Sequence, residues 1–237
     1  MFKKILSDAA KNFGLQLSEI QLEQFDAFYK LVIEWNEKIN LTAITEPQEF
    51  AVKHIIDSLS LWDEKLLHSV EYVIDVGTGA GFPGIPLKIF RPQIKLTLLD
   101  SLAKRLEFLK VVSKSLELEE VYFLHGRAED TAKQKDLREN FDLVTSRAVA
   151  RLNILSEYCL PFAKVGGKFA ALKGKQFQEE VDEAGNAIKI LGGKISEVRE
   201  IKLPTVNDAR AVIYIDKKIS TPKKFPRKAG IPTKKPL

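Results

Sequence analysis

The 237-residue sequence predicts an α/β protein: a seven-stranded, mostly parallel sheet with one antiparallel strand, preceded by a helical extension. Three observations predict it. Helical spacing dominates up to about residue 66. From there, short β-branched or aliphatic runs alternate with helical patterns, the signature of βαβ units. After about residue 192 the alternation gives way to two extended runs that read as a hairpin.

Taken in order, Ser18-Glu19-Ile20-Gln21 fits a capping box, in which two side chains satisfy free amides at a helix start. Behind it Leu22, Phe25, Phe28, Val32, Trp35 and Ile39 recur every three or four residues, giving one apolar face over about five turns. A second helix is expected from Pro47, with Phe50, Ile55, Leu59, Trp62 and Leu66 on one side. Strands are expected at 72–76, 95–99, 120–124, 141–145 and 168–172. Residues 102–116 and 152–163 have helical spacing, and Gly166-Gly167 is expected to close the latter. Residues 195–203 and 211–215 form the expected hairpin, joined by 204–210. The division that follows is a helical extension over 1–66, a sheet domain over 67–216 and a basic, proline-containing tail over 217–237.

Composition narrows the class. With 45% hydrophobic and 29% charged residues, the chain is neither disordered nor fibrous. The longest apolar run, 211–215, is far short of the roughly 20 residues of a membrane-spanning helix. Asp8, Lys11 and Asn12 break what would have to be the apolar stretch of a secretory signal. The single Cys159 excludes an internal disulfide, and His54, His68 and His125 form no Cys/His cluster at zinc spacing. A cytoplasmic protein without metal or membrane is expected, and nothing demands more than a monomer. Residues 216–237 carry eight basic residues against one acid, whereas 1–215 carry 29 against 31. Such a tail, broken by Pro222, Pro226, Pro232 and Pro236, reads as a segment that builds no core but can neutralise a polyanion; a frayed, solubilising terminus is the other reading.

The most informative stretch runs from Val73 through Asp75-Val76-Gly77-Thr78-Gly79-Ala80-Gly81-Phe82-Pro83 to Gly84. A buried strand ends in glycines that let the backbone turn sharply and approach a ligand, at the carboxyl edge where Rossmann-like sheets bind. Gly79 and Gly84 have the outer spacing of a phosphate loop, but Ile85-Pro86 stands where Lys and Ser/Thr would be needed. A dinucleotide loop wants a third glycine where Phe82 stands. Asp100, directly after the second strand, can take both hydroxyls of a ribose, and Asp75 adds negative charge. A negative, phosphate-free pocket suits S-adenosylmethionine, whose sulfonium and ammonium are cationic; a dinucleotide and a purely structural turn are the competing readings.

Further motifs are Trp35-Asn36, Asn40-Leu41-Thr42, His54 with Asp57-Ser58-Leu59, Gly126-Arg127-Ala128-Glu129, Ser146-Arg147-Ala148 and the ending Arg227-Lys228-Ala229-Gly230-Ile231-Pro232. Together with the glycine loop they resemble, nearly end to end, the RsmG (GidB) family of bacterial small-subunit rRNA methyltransferases. The resemblance implies a Rossmann-like, S-adenosylmethionine-dependent methyltransferase that modifies N7 of a guanine in the 530 loop of 16S rRNA. Its partner would be 16S rRNA or the small ribosomal subunit. Carried over position by position, it implies cofactor contacts from Gly77, Phe82, Asp100, Ala128, Glu129 and Arg147. By itself Glu129 reads equally well as an acid in a first helical turn.

Methylation of an exocyclic amine commonly uses an Asn/Asp-Pro-Pro-aromatic motif after the fourth strand, and pyrimidine C5 methylation needs a cysteine there. Ser146-Arg147-Ala148 stands there instead, and Cys159 reads as a buried structural thiol. Guanine N7 carries an in-plane lone pair, so no general base is required and catalysis is positioning. The positioning candidates are Arg147, Lys173 and Arg210, which with Arg151 and Lys175 are expected to form a basic RNA-facing rim. On this reading Arg210→Glu, or deletion from Thr221, would weaken RNA binding and spare cofactor affinity. His54, Asp57 and Ser58 share a helix face but are too close together for a hydrolytic triad, so a packing or hydrogen-bonding role is expected. Asn36 and Asn40 read as structural residues closing the helix, with a role in RNA contact or cofactor gating left open by the family resemblance. The competing functions are an RNA methyltransferase with another target base and a catalytically silent RNA-binding module.

Overall fold

The computed structural model describes residues 1–205 and 208–237. It begins with α1 (Phe2–Asn12), α2 (Glu19–Asn36) and α3 (Pro47–Phe50), then a π-helical turn (Ala51–Ile56) running into α4 (Asp57–Leu59), and α5 (Glu64–Leu67). The alternating part comprises β1 (Tyr72–Val76), α6 (Gly84–Phe90), β2 (Lys95–Asp100), α7 (Ala103–Ser115), β3 (Val121–His125), α8 (Ala128–Thr131) and β4 (Phe141–Arg147). It continues through α9 (Leu152–Cys159), β5 (Ala163–Lys173), α10 (Phe177–Ile190), β6 (Gly193–Ile201), β7 (Arg210–Lys217) and α11 (Ile231–Lys234). The strands lie in the order β3-β2-β1-β4-β5-β7-β6. β1 to β5 are parallel, and β7 is antiparallel to both of its neighbours. Strand order reverses at β1 and β4, which opens a crevice at their carboxyl ends.

Local chemistry explains how the extension docks. Ser18 Oγ accepts from the Gln21 amide at 3.2 Å, and Gln21 Oε1 accepts from the Ser18 amide at 2.9 Å. The same glutamine donates to the carbonyls of Ile89 and Phe90, so the cap of α2 also ties it to the end of α6. The apolar face of α2 is buried with Phe50, Phe82, Leu98 and Phe108 in one core, shared by the extension and one side of the sheet. The other side is covered by α9 and α10 in a second core that includes Leu155, Phe162, Phe169 and Ile188. Each such side chain contributes about 1.5–3 kcal/mol on burial.

Two expectations are corrected. Gly166 and Gly167 do not close α9; they lie inside β5, which starts at Ala163, and α9 ends at Cys159 ahead of Pro161. A Cβ on Gly167 would sit 2.8 Å from the Asp142 carbonyl, beside the register shift between β4 and β5, so the glycines serve a bulge rather than a cap. The turn expected over 204–210 lies partly outside the described residues, at 206 and 207.

The C-terminal tail is the second. Lys217, placed in it from sequence, is the last residue of β7, with its buried Nζ 2.6 Å from the Leu160 carbonyl and 3.0 Å from Glu139. Phe225 is buried in the second core, and Arg138 donates to the carbonyls of Thr221 and Phe225. Arg227 grips the fully buried Glu157 through Nε (2.9 Å) and Nη2 (2.6 Å). A segment read as unable to build a core is therefore docked, because its own Phe225 enters the second core and the buried Glu157 receives its Arg227. Deletion from Thr221 would strip Phe225 from the core and leave Glu157 unpaired, so its first consequence is lost stability, not selectively weakened RNA binding.

Candidate active site

The site is built on the loop after β1. Gly77, Gly79 and Gly81 have φ of +71°, +61° and +95°, and the Gly77 and Thr78 amides donate to the Leu99 carbonyl, hooking the loop over β2. Asp75 is fully buried, and its Oδ2 accepts from Thr78 Oγ1 at 2.7 Å and from the Gly84 amide at 3.0 Å. Burial pushes the Asp75 carboxyl up to about 6, against the hydrogen bonds from Thr78 and Gly84 that pull it down. A Cβ on Gly79 would meet nothing within 4 Å, so the loop backbone faces open space.

A continuous cleft follows this loop. One lobe is lined by Gly77, Leu99, Asp100, Ala128, Glu129 and Tyr158. The next, sharing Gly77, Asp100 and Val149, is lined by His54, Gly79, Phe82, Arg105 and Arg147. Across Arg147–Val149 it opens into a third lobe with Asp57, Arg151, Lys173, Glu180 and Arg210. All six sequence-derived cofactor candidates thus line one cleft, and the positioning candidates Arg147, Lys173 and Arg210 line its far end. Asp100 accepts from the amides of Gly79 and Leu102, both at 2.9 Å, with Arg105 at 3.5 Å. A carboxylate has about four acceptor positions, so capacity remains for a hydroxyl.

Arg147 organises the middle of the cleft. Nη1 donates to the Lys53 carbonyl (2.9 Å) and to Asp57 Oδ2 (2.8 Å), Nη2 meets His54 Nδ1 (3.1 Å), and the guanidinium lies 4.9 Å from the Phe82 ring centre. The π-helical turn brings carbonyl, imidazole and carboxylate onto one guanidinium, a use typical of such turns. Burial, and then the charge of Arg147, lower the His54 pKa to about 3. The ring is therefore neutral, its Nδ1 accepting from Arg147 and its Nε2 donating to Thr42 Oγ1 at 2.7 Å. Ser58 Oγ donates to the His54 carbonyl, so no triad forms. Asn36 Oδ1 accepts from the amides of Leu41 and Thr42, closing α2 as its sequence suggests; Asn40 is exposed.

The basic rim needs correction. Arg147 and Arg210 both face Asp57, the latter at 3.6 Å, and Arg151 pairs with Glu183. Lys173 is buried, with Nζ 2.6 Å from Glu180 and 2.5 Å from the Ala150 carbonyl, which fixes the loop after β4 instead of facing a ligand. Lys175 is exposed. The neutralising carboxylates come from α4 and α10, outside the stretches that flagged the cations. Sequence reasoning missed Asp57 as the shared counter-ion, although it belonged to the rejected triad pattern. It also missed Val149 and Tyr158, which carry no signal of their own.

A pH prediction follows. His54 is lowered in the folded state, so its contribution to stability is lost as pH falls below the unfolded value near 6.5. Asp75 is raised, so its contribution grows as pH falls from about 6 toward 4. The two oppose each other between about pH 4 and 6. His54→Asn removes the histidine effect and leaves that of Asp75, so urea unfolding should show stability that rises from pH 6 to pH 4.5 relative to wild type. Parallel pH profiles for the two proteins would refute these assignments.

Comparison with known proteins now places the chain. The family described as rRNA small subunit methyltransferase G (GidB) matches residues 21–210. The chain belongs to this family. A ribosomal RNA small subunit methyltransferase G of Alkaliphilus metalliredigens is 52% identical over 99% of this chain and 98% of that protein. One from Desulforamulus reducens is 51% identical over 98% and 97%. Among solved structures, precorrin-6y C5,15-methyltransferase from Geobacter metallireducens is similar in fold, with a TM-score of 0.52 at 15% identity, over 81% of this chain and 100% of that one. TYW2 from M. jannaschii, solved with AdoMet, has a TM-score of 0.51 at 13% identity over 66% and 78%. Membership in the GidB family makes the chain a methyltransferase, and the Rossmann-like fold and S-adenosylmethionine expected from its sequence agree with that.

Proposed function

We propose that this enzyme transfers a methyl group from S-adenosylmethionine to N7 of a guanine in the 530 loop of 16S rRNA, with the rRNA or the small subunit as partner. One observation carries the choice of N7: among the described residues, the third lobe of the cleft, which is to receive the base, offers no free general base. Asp57 is held by two arginines, His54 is neutral with both nitrogens engaged, and Glu180 is engaged by Lys173. Cys159, the chain's one cysteine, is buried, and burial pushes its thiol well above its ordinary value. Neither deprotonation of an exocyclic amine nor thiolate attack on a pyrimidine is served by such a site.

The residues fit the cofactor. The turn at Gly79 leaves backbone open to a ligand, Asp100 and Glu129 supply negative charge, and no phosphate-loop lysine stands near. When bound, S-adenosylmethionine supplies a sulfonium methyl whose positive charge passes to the guanine ring, so no proton has to leave. Ala128, Glu129 and Asp100 would hold the adenosine end, and the glycine loop, Phe82 and Arg147 the methionine end. The third lobe, with Arg210 and Asp57, receives the base. Holding two partners in line accounts for the catalysis, an effect that can reach several kcal/mol.

The test is to incubate the protein with methyl-tritiated S-adenosylmethionine and small subunits lacking the modification, then cleave with borohydride and aniline. A single break in the 530 loop is expected. Incorporation elsewhere would keep the enzyme class and overturn the target, and cofactor binding without any label would favour the binding-module reading.

A further inference from the structure

The ending Arg227-Lys228-Ala229-Gly230-Ile231-Pro232 has a geometry that RNA attraction alone does not explain. We infer that this C-terminal segment is a working part of the cofactor site, positioning Glu129 and Tyr158 at the adenosine end of the cleft. The inference rests on the placement of the cofactor proposed above.

Two contacts carry it. The Gly230 amide donates to Glu129 Oε1 at 3.1 Å, and Thr233 Oγ1 on α11 lies 3.0 Å from the Tyr158 hydroxyl. Both partners line the lobe that holds Asp100 and Ala128. Glu129 is buried, and a buried carboxylate is costly unless donors meet it. Among the described residues, the Gly230 amide is the donor that does so. It is aimed there by a φ of +81°, in the left-handed region that glycine enters freely.

The segment can act as a strut because it is fixed upstream. Arg227 forks onto Glu157, the neighbour of Tyr158 on α9, and its own amide donates to Glu157 Oε1 at 2.8 Å. Arg138 and the burial of Phe225 hold the chain before that. The strut therefore bridges α8, which bears Glu129, and α9, which bears Tyr158. These two elements supply side chains to the same lobe and are not neighbours in sequence. Gly230 and Thr233 are positioning residues: they act through Glu129 and Tyr158. Linkage is reciprocal, so cofactor binding must in turn hold the segment down.

Two experiments on the full chain test this. In Gly230→Ala the new Cβ meets no atom within 4 Å, but the positive φ is disfavoured, so the amide should leave Glu129. Calorimetric titration with S-adenosylmethionine should show roughly tenfold weaker binding, the effect of about 1.4 kcal/mol. Thr233→Val should weaken it about threefold and Thr233→Ser should restore it. In the wild type, tryptic cleavage after Lys228 should slow at least about fivefold at saturating S-adenosylmethionine. Glu129→Gln is the control for the cleft itself and should also weaken binding. If Glu129→Gln binds weakly while Gly230→Ala and Thr233→Val bind like wild type, the strut is refuted, even should both variants melt earlier. Unchanged cleavage at Lys228 on saturation refutes it independently. Wild-type affinity in Glu129→Gln would overturn the cofactor placement, and this inference with it.

Discussion

Asp57→Asn should lower stability by roughly 3 kcal/mol, or about 6–12 °C in melting temperature for a chain of this size. The carboxylate is 3% exposed and is the shared counter-ion of Arg147 and Arg210. Asparagine keeps the shape and removes the charge, leaving two guanidinium groups facing a neutral amide in a largely desolvated place. Arg147 also loses the partner that fixes it beside Phe82, so affinity for S-adenosylmethionine should fall in parallel. Asp57→Asn combined with Arg210→Met removes one surplus cation and should recover part of the lost melting temperature. Differential scanning calorimetry decides: a shift under about 2 °C for the single variant would mean that the arginines are stabilised by solvent rather than by Asp57.

Phe82→Ala should cost about 3–5 kcal/mol, the usual range for emptying a buried aromatic site. The ring is 5% exposed, stacks on His54 with centroids 4.4 Å apart, and lies 5.3 Å from Phe28 and 5.8 Å from Phe50. It joins the helical extension to the glycine loop, so its loss should loosen the loop and weaken cofactor binding as well as the fold. Phe82→Leu keeps most of the volume and should retain most of the stability while losing the support of Arg147. Urea unfolding and calorimetric titration separate the two effects. A cost below about 1 kcal/mol for Phe82→Ala would show that the extension does not depend on this ring.

Local pattern was sufficient for much of the fold. The capping box at Ser18–Gln21 formed as its spacing requires, β1 spans the residues its β-branched run marked, and β7 is the one antiparallel strand. In each case the deciding interaction lies within a few residues or follows from a simple period. The cleft was equally legible: glycines after β1, an acid after β2, Ala128-Glu129 after β3 and Arg147 ending β4 all reach the carboxyl edge, because parallel strands deliver their ends to one side.

What the sequence by itself determined is thus the α/β class, the strand order's ligand edge and the family. Tertiary structure alone decided which charges are spent. Arg147, Arg151, Lys173 and Arg210 look like an RNA rim until Asp57, Glu180 and Glu183 arrive from other helices to pair with them. The tail looks free until its Phe225 is found inside the second core and its Arg227 on the buried Glu157. Apart from Lys173 and Glu180, these pairs join residues tens of positions apart or more, and no short-range pattern encodes which distant carboxylate a cation will meet.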